Sequence, residues 1–399
     1  MEWKIFLQPE VQQFIKDHIN DDVRALALKS SPDKSWPYSL ILDQIKVLQK
    51  ARIKSPDLYE TNGIIFPSND LYEQSSSSAC AAYKASLVSG DKFVDLTAGS
   101  GLDAYHFSKN FKSGTLVERD EISVGLLDHN MRILQNSNGD RCCLDVRHMD
   151  CVEYVDSMDN VDFVFVDPQR REGGRKGIFD LSSCSPDVIS LLDVLKNKTA
   201  KVMVKASPVL DIEKAIGSLE FVSQVHVVQW QNECKEVLYL LDFSKPKTEI
   251  STEIIAVDIN FAGKVQQKLS FYPDDERKFV PEYGLPKKYI FEPGPAFQKS
   301  GGFKSISVQL GLLKIHQHSH LYTSDELCPN FPGKAYEVID VVSVQSKAVK
   351  LSNADLALRN FPGNVRDLKK KLKLSDGGCY RVFATTLCDG AKKLIICKK

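Results

Sequence analysis

The spacing of apolar residues along the chain changes twice. Over the first sixty residues it is helical. Val11, Phe14, Ile15 and Ile19 fall on one helical face, as do Leu40, Ile41, Ile45 and Leu48, with Pro32 and Pro37 as punctuation. A four-serine run then leads into an alanine-rich helix expected over 79–87. From Asp91 short apolar runs alternate with helical stretches. They predict strands at 92–95, 114–118, 141–146, 161–166 and 200–205, with helices between them, notably 121–135 and 186–196. Such alternation builds a parallel sheet with helices on both faces. The period changes again at 225–230 and 236–243, two strands joined by the polar stretch Gln231 to Lys235, which reads as a hairpin. A dehydrogenase sheet normally continues with a sixth parallel strand instead.

Beyond the hairpin, Ser244 to Glu249 reads as a linker. Residues 250–325 mix short strands with a helix near 297–313. The last stretch predicts strands at 335–344 and on both sides of Gly390, and a helix near 364–371. With 399 residues the chain exceeds one average domain. The expected divisions are a helical region over 1–90, an α/β domain over 91–243, an α+β segment over 244–330 and a basic module over 331–399.

Charge sharpens the last boundary. The whole chain carries 52 basic and 52 acidic residues, so its total says nothing about partners. From Phe331 onward fourteen Lys and Arg face six Asp and Glu, a net +8 on an otherwise acidic body. A basic module of this kind is a candidate nucleic-acid footprint, or a solvated face. The ten cysteines show no Cys-x-x-Cys spacing, which argues against a disulfide framework or a zinc site. The N-terminus has no leader pattern, and no apolar run approaches a membrane span, so a cytoplasmic protein is expected.

The most chemical stretch is Phe93-Val-Asp-Leu-Thr-Ala-Gly-Ser-Gly101, an apolar strand ending in an acid and a glycine loop. Glycines let backbone approach a ligand. Gly99-x-Gly101-x-x-Ala104 also fits a dinucleotide loop, so spacing alone leaves the cofactor open. Asp95 would repel a pyrophosphate. It would suit the ammonium and sulfonium of S-adenosylmethionine. Glu118, ending the second strand, can accept from both ribose hydroxyls; the plain alternative is a charged strand terminus. Asp120 beside it suits the cap of the helix starting at Glu121. Asp150, after the third strand, can accept from an adenine amino group, cap the following helix, or both.

Asp167-Pro168-Gln169-Arg170-Arg171 follows the fourth strand, where open α/β sheets bind ligands. Asp167 could hold or deprotonate an attacking amine, and Arg170 and Arg171 could grip a phosphate. Arg175 and Lys176 lie in the glycine-rich loop beyond. Lys205-Ala-Ser-Pro208 ends the fifth strand without the cysteine that addition to a pyrimidine ring needs; Cys184 precedes that strand. Direct transfer to nitrogen or oxygen fits better. His316, His318 and His320 could share a face, but no carboxylate or cysteine joins them at metal spacing, and no metal is expected.

With these residues in place, the chain resembles bacterial class I S-adenosylmethionine-dependent methyltransferases that carry a C-terminal THUMP-like domain. The matching stretches are Glu73-Gln-Ser-Ser76, Asp95 to Gly101, Val117-Glu-Arg-Asp120, Asp167 to Arg171, Lys205 to Pro208, Arg359-Asn-Phe-Pro362, Leu368 to Leu374 and Phe383-Ala-Thr-Thr386. The resemblance runs from about residue 60 to the end. It implies a Rossmann-like seven-stranded sheet, a ferredoxin-like segment before the THUMP-like module, and an RNA substrate. It implies that Gln74, Asp95, Thr97, Gly99, Gly101, Glu118 and Asp150 hold the donor, with Gln74 on a segment folded over it. Asp167 and Pro168 would then position the acceptor, and Arg170 and Arg171 would bind substrate phosphate. Where many methyltransferases have a third glycine, this chain has Gly99-Ser-Gly-Leu-Asp103. Alternatives within the same fold are a protein or small-molecule substrate, or donor binding without turnover. A nicotinamide-dependent oxidoreductase is disfavoured by Asp95 and the hairpin.

Overall fold

The computed structural model describes residues 2–138, 142–170 and 181–399. Its contacts divide the chain into two compact units. One comprises Met1–Gln224, Lys235–Ile250 and Ile259–Lys264; the other comprises Val225–Cys234, Ser251–Asp258 and Val265–Lys399.

The first unit begins with helices α1 (Pro9–Asp17), α2 (Val23–Ala27), α3 (Tyr38–Lys54), α4 (Pro56–Glu60), α5 (Asn69–Gln74) and α6 (Ser78–Ser86). Val11 and Ile15 of α1 bury against Ile41 and Ile45 of α3, as their helical spacing requires. Ile19 lies past the end of α1.

The alternating region folds as β1 (Lys92–Asp95), α7 (Leu102–Ser108), β2 (Ser113–Glu118), α8 (Glu121–Asn138), β3 (Cys143–His148), α9 (Cys151–Ser157), β4 (Val161–Val166), α10 (Val188–Leu195), β5 (Thr199–Ala206) and α11 (Ile212–Leu219). β6 (Val222–Trp230) and β7 (Glu233–Asp242) follow. The strand order is β3-β2-β1-β4-β5-β7. All neighbours are parallel except β7, which runs antiparallel to β5. The start of β6 lies along the other side of β7, where Asp242 N–H donates to Phe221 O and Ser223 Oγ donates to Leu240 O, both at 3.0 Å. This is the class I methyltransferase order. The apolar run Phe163–Val166 is buried throughout because its sheet is covered on both faces. Phe93, Phe107, Phe111, Phe163 and Phe165 interlock beside it.

The hairpin turn is tighter than the polar stretch suggested. Gln231 and Asn232 both take left-handed conformations, with φ of +52° and +61°. A two-residue turn therefore closes the strands, whose twist it matches. The third strand lies two residues later than expected, at Cys143–His148.

In the second unit, β8 (Glu253–Ile259) and β9 (Val265–Phe271) run beside β6 in the order β9-β8-β6. After α12 (Pro273–Lys278), a separate sheet forms from β10 (Tyr289–Pro293), β11 (Leu313–Lys314), β12 (Tyr322–Ser324), β13 (Gly333–Ser343), β14 (Asp355–Arg359), β15 (Tyr380–Thr386) and β16 (Lys392–Lys398). Its order is β11-β12-β10-β13-β16-β15-β14. The single helix expected near 297–313 is two, α13 (Pro295–Ser300) and α14 (Phe303–Leu310). Gly301, at φ +81°, breaks the path between them. α15 (Val365–Leu372), capped by Asn364, packs Leu368 and Leu372 onto Leu356, Val382 and Leu394. Buried Glu292 on β10 accepts from Arg359 at 2.6 Å and from Arg381 at 3.0 Å.

Candidate active site

The glycine loop is built by its own backbone. Thr97 N–H donates to Asp95 Oδ1 at 3.0 Å, and Thr97 Oγ1 accepts from Asp167 N–H at 2.7 Å. Gly99, at φ +50°, donates its N–H to Glu118 Oε2 at 3.0 Å. Gly101, at φ +78°, precedes α7, and its carbonyl accepts from Tyr105 N–H. A Cβ on Gly101 would sit 2.4 Å from Leu127 Cδ1 and 2.7 Å from Met131 Cε. Packing against α8 thus demands the second glycine.

A cleft of about 660 Å³ opens over the C-terminal ends of β1, β2 and β4. Gln74, Asp95, Thr97, Gly99, Glu118, Asp150 and Asp167 all line it. Gly101 and Pro168 are not among its lining residues. Arg171, Arg175 and Lys176 lie outside the described residues, as does the side chain of Arg170. Asp150 caps α9 through Val152 N–H at 2.8 Å and also lines the cleft. Asp120 caps α8 through Ser123 N–H.

Several lining residues gave little or no sequence signal. Ser76 follows α5, and Asp103 lies in the first turn of α7 at the place of the third glycine. Ser185 and Asp187 come from the stretch where Cys184 drew attention; Cys184 itself is buried. Asn130 is tied to Ile65 by hydrogen bonds of 3.0 and 2.7 Å.

The cleft is strongly acidic. Arg119 is the one cation among its described lining residues, against Asp95, Asp103, Glu118, Asp120, Asp150, Asp167 and Asp187. Asp95 is 1% exposed, and burial pushes its carboxyl well above the usual range, helped by Asp103, Asp167 and Glu118. The Thr97 N–H opposes this only in part. Asp103 behaves differently. Burial raises it too, but Lys84 and Lys205 more than offset this and hold it below the usual range. Lys84 is wholly buried. Its Nζ lies 2.7 and 2.8 Å from the oxygens of Glu236, 2.9 Å from Ser76 Oγ and 3.1 Å from Asp103 Oδ1. Lys205 pairs with Asp167. Burial works against the Lys205 ammonium, yet Asp167, Asp103 and Glu236 raise it above the ordinary lysine range.

Among the described residues, no helix is long and apolar enough to cross a membrane, and no group of three His, Cys, Asp or Glu could hold a metal ion. His316 bonds to Asn360, and His320 stacks on Phe303.

A family model described as a ferredoxin-like domain matches residues 289–332, and one described as THUMP domain-like matches 333–399. No curated protein matches the chain in sequence. Among solved structures, a Porphyromonas gingivalis W83 protein assigned as a methyltransferase aligns over 98% of this chain and 97% of its own, with 27% identity and a TM-score of 0.85. A precorrin-6y C5,15-methyltransferase of Geobacter metallireducens GS-15 aligns over 47% of this chain and 95% of its own, at 14% identity and TM-score 0.32. A Pyrococcus horikoshii protein assigned as an RNA methyltransferase aligns over 48% and 98%, at 16% and 0.31. In fold the chain is a class I methyltransferase, with a ferredoxin-like domain and a THUMP-like domain at its C-terminal end.

Proposed function

We propose that the chain transfers a methyl group from S-adenosylmethionine directly to a nitrogen or oxygen of an RNA nucleotide. The acidic cleft that meets Asp167 carries this reading. Its volume suits a nucleoside-sized ligand, and its carboxylates suit a ligand bearing an ammonium and a sulfonium while repelling a pyrophosphate. When bound, the donor supplies an electrophilic methyl group. Glu118 accepts from the ribose hydroxyls, Asp150 from the adenine amino group, and the loop at Asp95, Thr97 and Gly99 faces the amino-acid end. Gln74 closes one wall.

Asp167, held by Lys205 and by the Thr97 hydroxyl, accepts a hydrogen bond from the acceptor amine and orients it, with Pro168 fixing the chain beside it. Positioning of the acceptor is its main contribution. Arg170 and Arg171, next in sequence, are read as phosphate contacts. A cysteine nucleophile is not needed. Cys151 lines the cleft from the start of α9, and burial pushes its thiol up to about 11, which disfavours the nucleophilic thiolate.

The RNA part rests on the THUMP-like domain and on α15, where Arg366, Lys370 and Lys371 are exposed, as is Lys373 at its C-terminal cap. Such a cluster suits a polyanion, and its affinity should fall steeply with salt.

The test is calorimetric titration with S-adenosylmethionine and, separately, NAD, followed by transfer of labelled methyl to RNA. Binding of the methyl donor alone and label in RNA are expected. NAD binding alone would overturn the donor assignment. Label in protein or a small molecule, or donor binding without transfer, would overturn the RNA assignment.

A further inference from the structure

On the reading that the cleft takes S-adenosylmethionine, we propose that Asp103 receives the donor's α-ammonium group and makes the cleft select nucleosides that carry an amino acid. Asp103 lines the cleft from the first turn of α7, with its side chain 11% exposed. A carboxylate has about four acceptor sites, and few of them are filled here. Oδ2 accepts from Ser76 Oγ at 2.8 Å. Oδ1 is enclosed, with the Lys84 ammonium 3.1 Å away and out of good hydrogen-bond alignment. Acceptor sites remain on the part of the side chain that lines the cleft, and an ammonium brings both donors and an opposite charge.

The other carboxylates nearby are less able to do this. Asp95 is almost wholly buried, and its Oδ1 is occupied by Thr97 N–H. Its surroundings favour the neutral acid, whereas Lys84 and Lys205 favour the ionised form of Asp103. Each oxygen of Glu118 already accepts one N–H, from Gly99 or Asp120, and the proposed function gives its remaining acceptor sites to the ribose hydroxyls. The departure from the glycine pattern at position 103 therefore gains a purpose. A carboxylate stands where the loop enters α7, and Ser76 and Lys84 hold it there.

S-adenosylhomocysteine and 5′-methylthioadenosine, which has the nucleoside and thioether without the amino acid, would be titrated into the full chain and into Asp103→Asn. The variant should lose about 10- to 100-fold in affinity for S-adenosylhomocysteine, the worth of one charge-assisted hydrogen bond. Affinity for 5′-methylthioadenosine should stay within about 2-fold. A purely structural role would weaken both ligands alike, and an uninvolved residue would leave both unchanged; either result overturns the proposal. If Asp103→Asn does not fold, Asp103→Glu keeps a charge for Lys84 and displaces the carboxylate by one methylene, and the same comparison decides. A wild-type protein that binds neither ligand would instead overturn the donor assignment itself.

Discussion

Replacing Lys84 with methionine keeps the length of the side chain and removes its charge. The ammonium is wholly buried, with both oxygens of Glu236 within 2.8 Å, Ser76 Oγ at 2.9 Å and Asp103 Oδ1 at 3.1 Å. The substitution leaves Glu236 and Asp103, 3% and 11% exposed, without this counter-charge. Stripping one partner from a buried ion pair costs about 3–5 kcal/mol. Two carboxylates are affected here, but protonation of one caps the cost, so the same range applies. At about 2–4 °C per kcal/mol for a unit of this size, the first unit should melt about 10 °C lower. Scanning calorimetry of the full chain reads this transition. Burial opposes the charge on Lys84, but Asp103 and Glu236 raise its pKa overall. Its contribution is therefore present below about pH 10 and lost as pH rises through the raised folded value. Adding Glu236→Leu should recover more than half of the loss, because the pair is then removed together. A single variant that melts within about 2 °C of wild type, or a double variant less stable than the single, would refute the reasoning.

Glu118→Ala should weaken S-adenosylhomocysteine and 5′-methylthioadenosine alike, by about 10- to 100-fold, since both carry the ribose; unchanged calorimetric affinities would remove its ribose role. Gly101→Ala places a Cβ 2.4 Å from Leu127 at a left-handed φ, so it should cost about 1–3 kcal/mol, and a wild-type melting point would contradict this. Burial raises the Asp57 carboxyl, but His106 at 3.2 Å and the Ser78 hydroxyl prevail and hold it at about 2. That stability is present above the unfolded value near 3.9 and lost as pH falls toward about 2. Asp57→Asn should therefore flatten the acid loss of stability in denaturant titrations, and equal slopes would falsify the assignment.

The sheet was legible because its signals are local. Burial on both faces writes continuous apolar runs such as Phe163–Val166, and the acids at 95, 118, 150 and 167 mark strand ends by spacing alone. Features that depend on distant partners were not legible. Lys84 and Glu236 meet across 152 positions, and neither looks unusual in its own neighbourhood. Asp103 read as a missing glycine because its partners come from elsewhere in the chain, Ser76 from the link between α5 and α6 and Lys84 from α6. The hairpin turn was drawn too long because Gln231 and Asn232 lack the glycine that usually advertises two left-handed residues. Lys205 was noticed as part of a strand end, but its pairing with Asp167 needed the parallel neighbours β4 and β5.

The two C-terminal family matches meet between residues 332 and 333, yet β10 and β13 from either side of that point are hydrogen-bonded along five residue pairs. Ile290, Ile315 and Leu321 share one apolar cluster with Tyr336, Phe383 and Ile395, and Glu292 faces two arginines from beyond the seam. A gene fragment spliced at that seam would inherit half a core, an open strand edge and an acid or two bases stranded inside it. Over evolutionary time, exchange between lineages should therefore carry 289–399 as one heritable piece, and crossovers that survive selection should fall before Tyr289.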